Sequence, residues 1–167
     1  MKSAIIFYSF SGNTRKVAQI LKDELSKRGS ADLIDIQPLD ESKNFFCQAT
    51  RAFFKKRAMI KDEKLDLTGI DLICIGTPVW AFGPAPAINT YIDKCFGLVG
   101  KEVILFTTYG SGTGNQRCLN YMQVVLSKKG AKSFNIFSIQ QFKVDNKEFV
   151  LSKIREKTRL PPYRFTA

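Results

Sequence analysis

Histidine is absent from the 167 residues, and cysteine is rare. Without histidine, the serine triads and cysteine–histidine pairs of many nucleophilic enzymes cannot be assembled in their usual form. The four cysteines are far apart, with no C-x-x-C pair, which argues against a zinc site or a redox dithiol. They are Cys47, Cys74, Cys95 and Cys118. Cys74 lies in the apolar run Leu72-Ile73-Cys74-Ile75 and is predicted to be a core residue.

Long apolar stretches are also absent. No run approaches the roughly 18 residues that are needed to span a bilayer. The start of the chain, Met1-Lys2-Ser3 followed by a short apolar run, lacks the features of a secretory signal. We therefore expect a soluble, cytoplasmic protein without a membrane span. Its length fits a single domain over residues 1–167, large enough to bury a core without disulfides or metal.

Acidic residues are few relative to basic ones. The chain has 26 Lys and Arg against 15 Asp and Glu, a net charge of +11 at pH 7. This excess predicts a positive surface potential that attracts anionic ligands, acidic proteins or nucleic acid. One basic cluster with interleaved phenylalanines resembles a nucleic-acid patch, but a solvated face above a buried one is the simpler explanation, so nucleic acid is not the expected partner. The cluster consists of Arg51, Phe53, Phe54, Lys55, Lys56, Arg57 and Lys61.

Five apolar, β-branched runs alternate with segments of helical periodicity. Near-continuous apolarity is typical of strands that are covered on both faces, as in a parallel sheet. The alternation predicts an α/β fold: a doubly wound five-stranded parallel sheet in the order 2-1-3-4-5, with helices on both faces. The predicted strands are 3–8, 32–37, 71–76, 102–107 and 133–139. The predicted helices are 17–29, 45–54, 88–96, 119–126 and 146–158, the last of which buries Phe149, Val150 and Ile154.

The loop after the first strand, Ser9-Phe10-Ser11-Gly12-Asn13-Thr14, combines hydroxyls and a glycine directly before an amphipathic helix. Doubly wound sheets bind ligands at the carboxyl ends of their strands. Hydroxyls and unpaired backbone N–H groups at a helix N-terminus favour a phosphate there, because the helix dipole stabilises an anion. We therefore predict that this segment, residues 9–14, binds a phosphate, and we call it the hydroxyl loop. A hydroxyl-rich turn that only caps the helix is the alternative.

Two further loops, after the third and fourth strands, contribute aromatic side chains. Gly76-Thr77-Pro78-Val79-Trp80-Ala81-Phe82-Gly83-Pro84-Ala85-Pro86 holds the one tryptophan, and its prolines restrict the backbone. Thr107-Thr108-Tyr109-Gly110-Ser111-Gly112-Thr113-Gly114-Asn115 adds a second aromatic and a glycine-rich backbone. The latter is not a dinucleotide fingerprint, because it follows the fourth strand and lacks the G-x-G-x-x-G spacing. Together the three loops suit a phosphorylated planar ring system.

These loops resemble those of the flavodoxin-like family, and the resemblance extends over essentially the whole chain. It implies FMN as the cofactor, with hydroxyls of the first loop at the phosphate and Gly12 allowing its close approach. It also implies that Trp80 and Tyr109 flank the flavin ring, whereas Phe10 is expected to pack against its own loop. The predicted cofactor-binding residues are Ser9, Phe10, Ser11, Gly12, Asn13, Thr14, Thr77, Pro78, Val79, Trp80, Ala81, Phe82, Gly83, Thr108, Tyr109, Gly110, Ser111 and Gly112. No catalytic residue and no metal site is predicted.

The chain departs from the family's pattern in two ways. Many flavodoxins carry acidic residues near the ring, whereas the second and third loops here contain no Asp or Glu. Because negative charge disfavours reduction, we expect an acid-poor site to raise the reduction potential of a bound flavin. Trp80 is followed by Ala81 rather than by the glycine that lets the backbone of several family members reorganise beside the flavin.

Three functions are open from the sequence. The first is an FMN-binding electron-transfer protein that carries one or two electrons between redox partners, one of them acidic, with the chemistry residing in the flavin. The second is an NAD(P)H-dependent quinone or flavin reductase on the same scaffold, in which a nicotinamide or quinone stacks on the ring. The third is a flavin-free interaction module that uses the basic surface. The sequence does not decide between the first two, nor does it indicate the oligomeric state.

Overall fold

Five parallel strands form the central sheet, in the order β2-β1-β3-β5-β6. The computed structural model describes residues 1–39, 57–61, 64–110 and 112–158. The strands are β1 (Lys2–Phe7), β2 (Ser30–Asp35), β3 (Leu72–Trp80), β4 (Gly83–Pro84), β5 (Glu102–Tyr109) and β6 (Ser133–Gln140). The helices are α1 (Asn13–Ser26), α2 (Pro86–Lys94), α3 (Asn115–Ser127) and α4 (Lys147–Thr158), and a 3-10 turn, Gln141–Lys143, follows β6.

The predicted fold class is confirmed, but the predicted number of strands is wrong. Within the described residues the sheet has six strands, because the short β4 pairs with the end of β3 in antiparallel orientation. The predicted third strand ends at Gly76, whereas β3 continues to Trp80 before the chain turns back. Trp80 then pairs with Gly83. The segment interpreted as a loop is therefore partly a hairpin, and the five parallel strands keep the predicted order.

Side chains of the parallel strands alternate between two hydrophobic cores, one on each face of the sheet. On β3, Ile73 and Ile75 join the core that α2 and α3 cover. Leu72 and Cys74 point to the opposite core, which α1 and α4 cover. The position of Cys74 is thus confirmed as a core position, and its complete burial raises the pKa of its thiol. Coverage of both faces explains why the strands are apolar without interruption.

The helices follow the predicted periodicity, with boundaries shifted by a few residues. Val150 and Ile154 of α4 are fully buried, as predicted, and Phe149 is partly buried against the same core. The helix predicted over residues 45–54 lies outside the described residues. Within the described ranges, no helix is long and apolar enough to cross a membrane.

A buried carboxylate joins α1 to α4. Glu24 is 1% exposed and accepts hydrogen bonds from Nε and Nη2 of Arg155, at 3.0 and 3.1 Å, and from Nζ of Lys27, at 2.6 Å. The Arg155 guanidinium, assisted by Lys27, lowers the pKa of Glu24 to about 2. These bonds hold the C-terminal part of α1, the helix whose N-terminus follows the hydroxyl loop.

Candidate functional site

The carboxyl ends of the central parallel strands surround a cleft of about 460 Å³. Segments that are far apart in sequence meet there, because parallel strands place their following loops at one edge of the sheet. The cleft is lined by Phe10, Ser11, Asn13, Pro78, Val79, Trp80, Thr108, Tyr109, Gly110 and Gln141. Nine of these ten residues belong to the three loops that the sequence analysis selected.

The hydroxyl loop leads directly into α1. Gly12 immediately precedes the helix with a φ of +84°, a left-handed conformation that favours glycine. The hydroxyl of Ser9 accepts a hydrogen bond from the backbone N–H of Arg15, at 3.2 Å. Ser11 and Asn13 line the cleft instead. The loop thus uses one hydroxyl to hold its own shape, and it presents polar groups beside the other N–H groups at the start of the helix.

A buried hydroxyl pair connects the first loop with the third. Oγ1 of Thr14 lies 2.8 Å from Oγ1 of Thr108, and both side chains are almost completely buried. Thr108 lines the cleft. Each hydroxyl has one proton and can also accept, so one member of the pair keeps a proton for a third partner. This bond fixes the distance between the two loops on either side of the cleft.

No charged side chain lines the cleft within the described part of the chain. The nearest cation in sequence, Arg15, forms an ion pair with Asp35 at the end of β2. The electrostatic preference of the cleft therefore comes from the N-terminus of α1 and from the overall charge of +11. Both favour an anion.

The β3–β4 turn beside the cleft is strained. Ala81 and Phe82 have φ angles of +45° and +66°, and they form the two-residue connection between the paired Trp80 and Gly83. Positive φ at both central residues is the pattern of a type I′ turn, which ordinarily contains asparagine or glycine. Each non-glycine residue in this region costs about 1–2 kcal/mol. Such strain is concentrated at functional sites in proteins.

Polar side chains hold the residues after this turn. The hydroxyl of Thr77 accepts a hydrogen bond from the backbone N–H of Ala85 at 3.0 Å. The side-chain amide of Asn89, on α2, donates to the carbonyl of Pro84 at 3.3 Å. Thr77 and Asn89 are buried. They keep the strained hairpin in place from behind, while Pro78 and Val79 face the cleft.

The aromatic residues differ in exposure. Trp80 is 6% exposed, and the rings of Tyr8 and Phe10 meet its ring edge-on, with centroid distances of 5.6 and 5.7 Å. Phe10 is 40% exposed. Tyr109 is half-buried in the wall formed by the third loop. Phe82 is exposed but does not line the cleft.

Not every predicted residue reaches the cleft. Ser111 lies outside the described residues. The predicted residues that do not line the cleft are Ser9, Gly12, Thr14, Thr77, Ala81, Phe82, Gly83 and Gly112. Several of them shape the loops, as described above for Ser9, Thr14 and Thr77.

Gln141 is the lining residue that the sequence analysis missed. It follows β6, whose loop was not among the three selected. Its side chain packs against Gly110, where an added Cβ would lie 3.3 Å from its amide nitrogen. Its position directly after a parallel strand was the available signal, because that loop opens on the same edge of the sheet.

Comparison with protein families gives one match. The sequence model of a family described as NADPH-dependent FMN reductase matches residues 1–143. These residues include all of the cleft lining. No curated protein sequence matches the chain significantly.

Solved structures share the fold at low sequence identity. A flavoprotein from Lactobacillus acidophilus NCFM, crystallised with FMN, is 21% identical with a TM-score of 0.60, over 88% of this chain and 98% of that one. Oxidised flavodoxin 1 from Bacillus cereus is 18% identical with a TM-score of 0.61, over 93% and 98%. An NADH:FMN oxidoreductase in its apo form is 17% identical with a TM-score of 0.58, over 92% and 90%. These similarities establish the flavodoxin-like fold.

Proposed function

The chain belongs to the NADPH-dependent FMN reductase family, and from this premise we propose that it takes electrons from a reduced nicotinamide nucleotide and passes them to a second substrate. Family membership makes it a flavin-binding oxidoreductase whose cofactor is FMN. The main support for this electron transfer is the convergence of a hydroxyl-rich helix N-terminus and aromatic side chains on one cleft.

The residues of the cleft fit FMN. The phosphate would lie at the N-terminus of α1, beside Ser11 and Asn13, where backbone N–H groups and the helix dipole stabilise an anion. A Cβ on Gly12 would meet no atom within 4 Å, so the backbone there is open to close approach. The planar ring would lie in the rest of the cleft, between the first loop and the wall formed by the third loop, which contains Tyr109. The volume of about 460 Å³ is within the range of small-molecule sites.

FMN supplies the electron and hydride transfer chemistry when it is bound. The chain's own residues would bind and orient the cofactor and would limit the access of water to it. Thr14 and Thr108 set the separation of two loops, and Gln141 places a side-chain amide in the wall of the cleft. The cleft lining has no carboxylate or cation within the described residues, so no charged side chain is placed there to act as an acid or a base.

The protein's charge supports an anionic substrate or partner. A net charge of +11 attracts both the phosphates of a nicotinamide nucleotide and an acidic redox protein. Among acceptors, a small quinone or a free flavin would suit a cleft whose described lining has no charged side chain. A cytoplasmic location is proposed with this function.

An electron carrier between proteins is the second candidate. It is supported by the size of the cleft, which is towards the lower end of the range for ligand sites of roughly 300–1,000 Å³. With FMN bound, a second planar substrate would have to stack outside the cleft. A carrier needs only an exposed edge of the flavin and no pocket for a second substrate.

The visible spectrum and the turnover of the purified protein test these proposals. We expect a bound flavin spectrum, oxidation of NADPH with benzoquinone as acceptor, and no requirement for an added reductase. Full FMN occupancy without NADPH oxidation would support the carrier instead. A colourless protein that stays colourless after FMN is added would leave only the flavin-free module.

Riboflavin, which lacks the phosphate, tests the position of the phosphate. We expect it to bind at least tenfold more weakly than FMN, because charge-assisted hydrogen bonds at the helix N-terminus are lost. Equal affinity for the two flavins would contradict a phosphate site in the hydroxyl loop.

A further inference from the structure

We propose that Phe10, rather than Trp80, presents the aromatic face on which the ring of the bound flavin packs in the cleft, and that Trp80 supports Phe10 from behind. This inference rests on the proposed FMN binding at the cleft. It reverses the roles that the sequence analysis gave the two residues, in which Trp80 flanked the ring and Phe10 packed against its own loop. The reversal follows from burial and ring geometry.

Trp80 has little surface to offer a ligand. An aromatic side chain can bury about 150–250 Å², so an exposure of 6% leaves on the order of 15 Å² of Trp80 accessible. A flavin stacked on an indole would need most of one face. The faces and edges of Trp80 are instead used inside the protein, where Tyr8 and Phe10 contact it at interplanar angles of 85° and 77°.

Phe10 has the surface that Trp80 lacks. It is 40% exposed, which corresponds to on the order of 80 Å², and it lines the same cleft. It lies in the hydroxyl loop between Ser9 and Ser11, so a ligand whose phosphate is held beside Ser11 has its ring within reach of Phe10.

The arrangement of rings explains how Phe10 is held. Its edge-on contact with Trp80 is the preferred geometry of two aromatic quadrupoles, and Trp80 makes the same kind of contact with the buried Tyr8. The three rings form a row from the core to the cleft. An exposed phenylalanine supported in this way is pre-organised, so little side-chain entropy is lost when a ligand packs on it.

The test compares FMN affinity in variants of the full chain. We expect Phe10→Ala to weaken FMN binding about tenfold, Phe10→Leu to weaken it about threefold, and Phe10→Tyr to bind within about twofold of the original protein, because only tyrosine keeps the aromatic face. Phe142→Ala is the matched control. Phe142 is 68% exposed, follows the lining residue Gln141 and does not itself line the cleft, so its removal should leave affinity unchanged.

Competition by inorganic phosphate separates contact with the ring from a general effect on the loop. If Phe10 touches only the ring, Phe10→Ala leaves the inhibition constant of inorganic phosphate unchanged while it weakens FMN. Equal weakening of both ligands would overturn the proposal, because it would mean that the substitution deforms the phosphate loop. Unchanged FMN binding by Phe10→Ala would overturn the proposal as well. Tighter binding would also overturn it, because it would show that Phe10 obstructs the cleft.

Failure of this inference is distinguishable from failure of the proposed function. If the unaltered protein does not bind FMN, the proposed function is wrong. If the unaltered protein and Phe10→Ala bind FMN with equal affinity, the proposed function is retained and only the role of Phe10 is wrong.

Discussion

Two helices of this protein begin with the same backbone geometry but in different surroundings. Gly12 precedes α1 with φ and ψ of 84° and −13°, and Gly114 precedes α3 with 89° and −16°. An asparagine begins each helix. A Cβ at Gly12 would meet no atom within 4 Å, whereas a Cβ at Gly114 would lie 2.5 Å from Cδ1 of Phe82 and 3.2 Å from its Cα. At the preceding glycine, the N-terminus of α1 is open and the N-terminus of α3 is covered by the aromatic ring.

The two termini differ in the packing at the preceding glycine and not in the helix dipole. Both helices supply partial positive charge and free N–H groups at their first turns. The N-terminus of α1 opens on the cleft through Ser11 and Asn13, while the strained turn places Phe82 against the start of α3. The strain in that turn therefore has a structural consequence, because it brings a ring against the glycine that precedes α3.

The largest effect should come from adding a methyl group at the covered terminus. Gly114→Ala combines a positive φ, which costs about 1–2 kcal/mol, with overlap against Phe82, which costs about 1–3 kcal/mol. We expect a loss of about 3 kcal/mol in the free energy of unfolding, measured with urea. Gly12→Ala, its matched variant at the open terminus, should lose about 1.5 kcal/mol from backbone strain alone. Equal losses in the two variants would contradict the difference in packing.

The sequence predicts part of this difference between the two helix N-termini, but not all of it. Apolar runs predicted the parallel sheet because strands covered on both faces need no polar side chains, and the hydroxyls around Gly12 indicated the open helix terminus. The cover over Gly114 could not be predicted, because Phe82 reaches it only through two residues with positive φ, which local propensity opposes. The same hairpin added the strand that the sequence analysis missed. Gln141 was missed because its role depends on strand order at the edge of the sheet, not on a local motif.

The C-terminal end of α1 must be anchored if the open N-terminus of the helix is to keep its position. Glu24→Gln removes the charge that Arg155 and Lys27 share, and hydrogen bonds to charged groups contribute about 1.5–3 kcal/mol. Both cations are half-exposed and regain water. We expect a loss of about 2 kcal/mol in the free energy of unfolding, with FMN affinity unchanged. A large loss of affinity would show that the two ends of α1 are coupled.

The carboxylate of Glu24 should also make the stability of the folded protein depend on pH. The pKa of Glu24 falls from an ordinary 4.5 to about 2 in the folded protein, because Arg155 and Lys27 stabilise its charged form. Its contribution is therefore fully present above about pH 4.5 and is lost as the pH falls towards 2. The difference in the free energy of unfolding between the original protein and Glu24→Gln should therefore be smaller at about pH 3 than at about pH 7. A constant difference over this range would exclude the ion pair as its origin.

The asparagines that begin the two helices should differ in their effect on FMN binding. Asn13 lines the cleft, so Asn13→Ala should weaken FMN binding by about 1 kcal/mol through a lost hydrogen bond, roughly a fivefold rise in Kd. Asn115 has the corresponding position at the covered terminus and does not line the cleft, so Asn115→Ala should leave the Kd unchanged. Flavin fluorescence titration measures both. Similar weakening by both variants would mean that the covered terminus also contributes to binding.

The smallest effect should come from relieving strain in the turn that positions Phe82. Ala81 has a φ of +45° and an exposed side chain, so Ala81→Gly removes steric strain without opening a cavity. The relief of about 1–2 kcal/mol is partly offset by the greater freedom of glycine in the unfolded chain, about 0.5–1 kcal/mol. We expect a net gain of about 0.5 kcal/mol in the free energy of unfolding, whereas Ala81→Val, which is β-branched, should lose stability. If Ala81→Gly were destabilising, the positive φ of Ala81 would carry no strain, and the cover over α3 would have to be held by Phe82 and its contact with Gly114 alone.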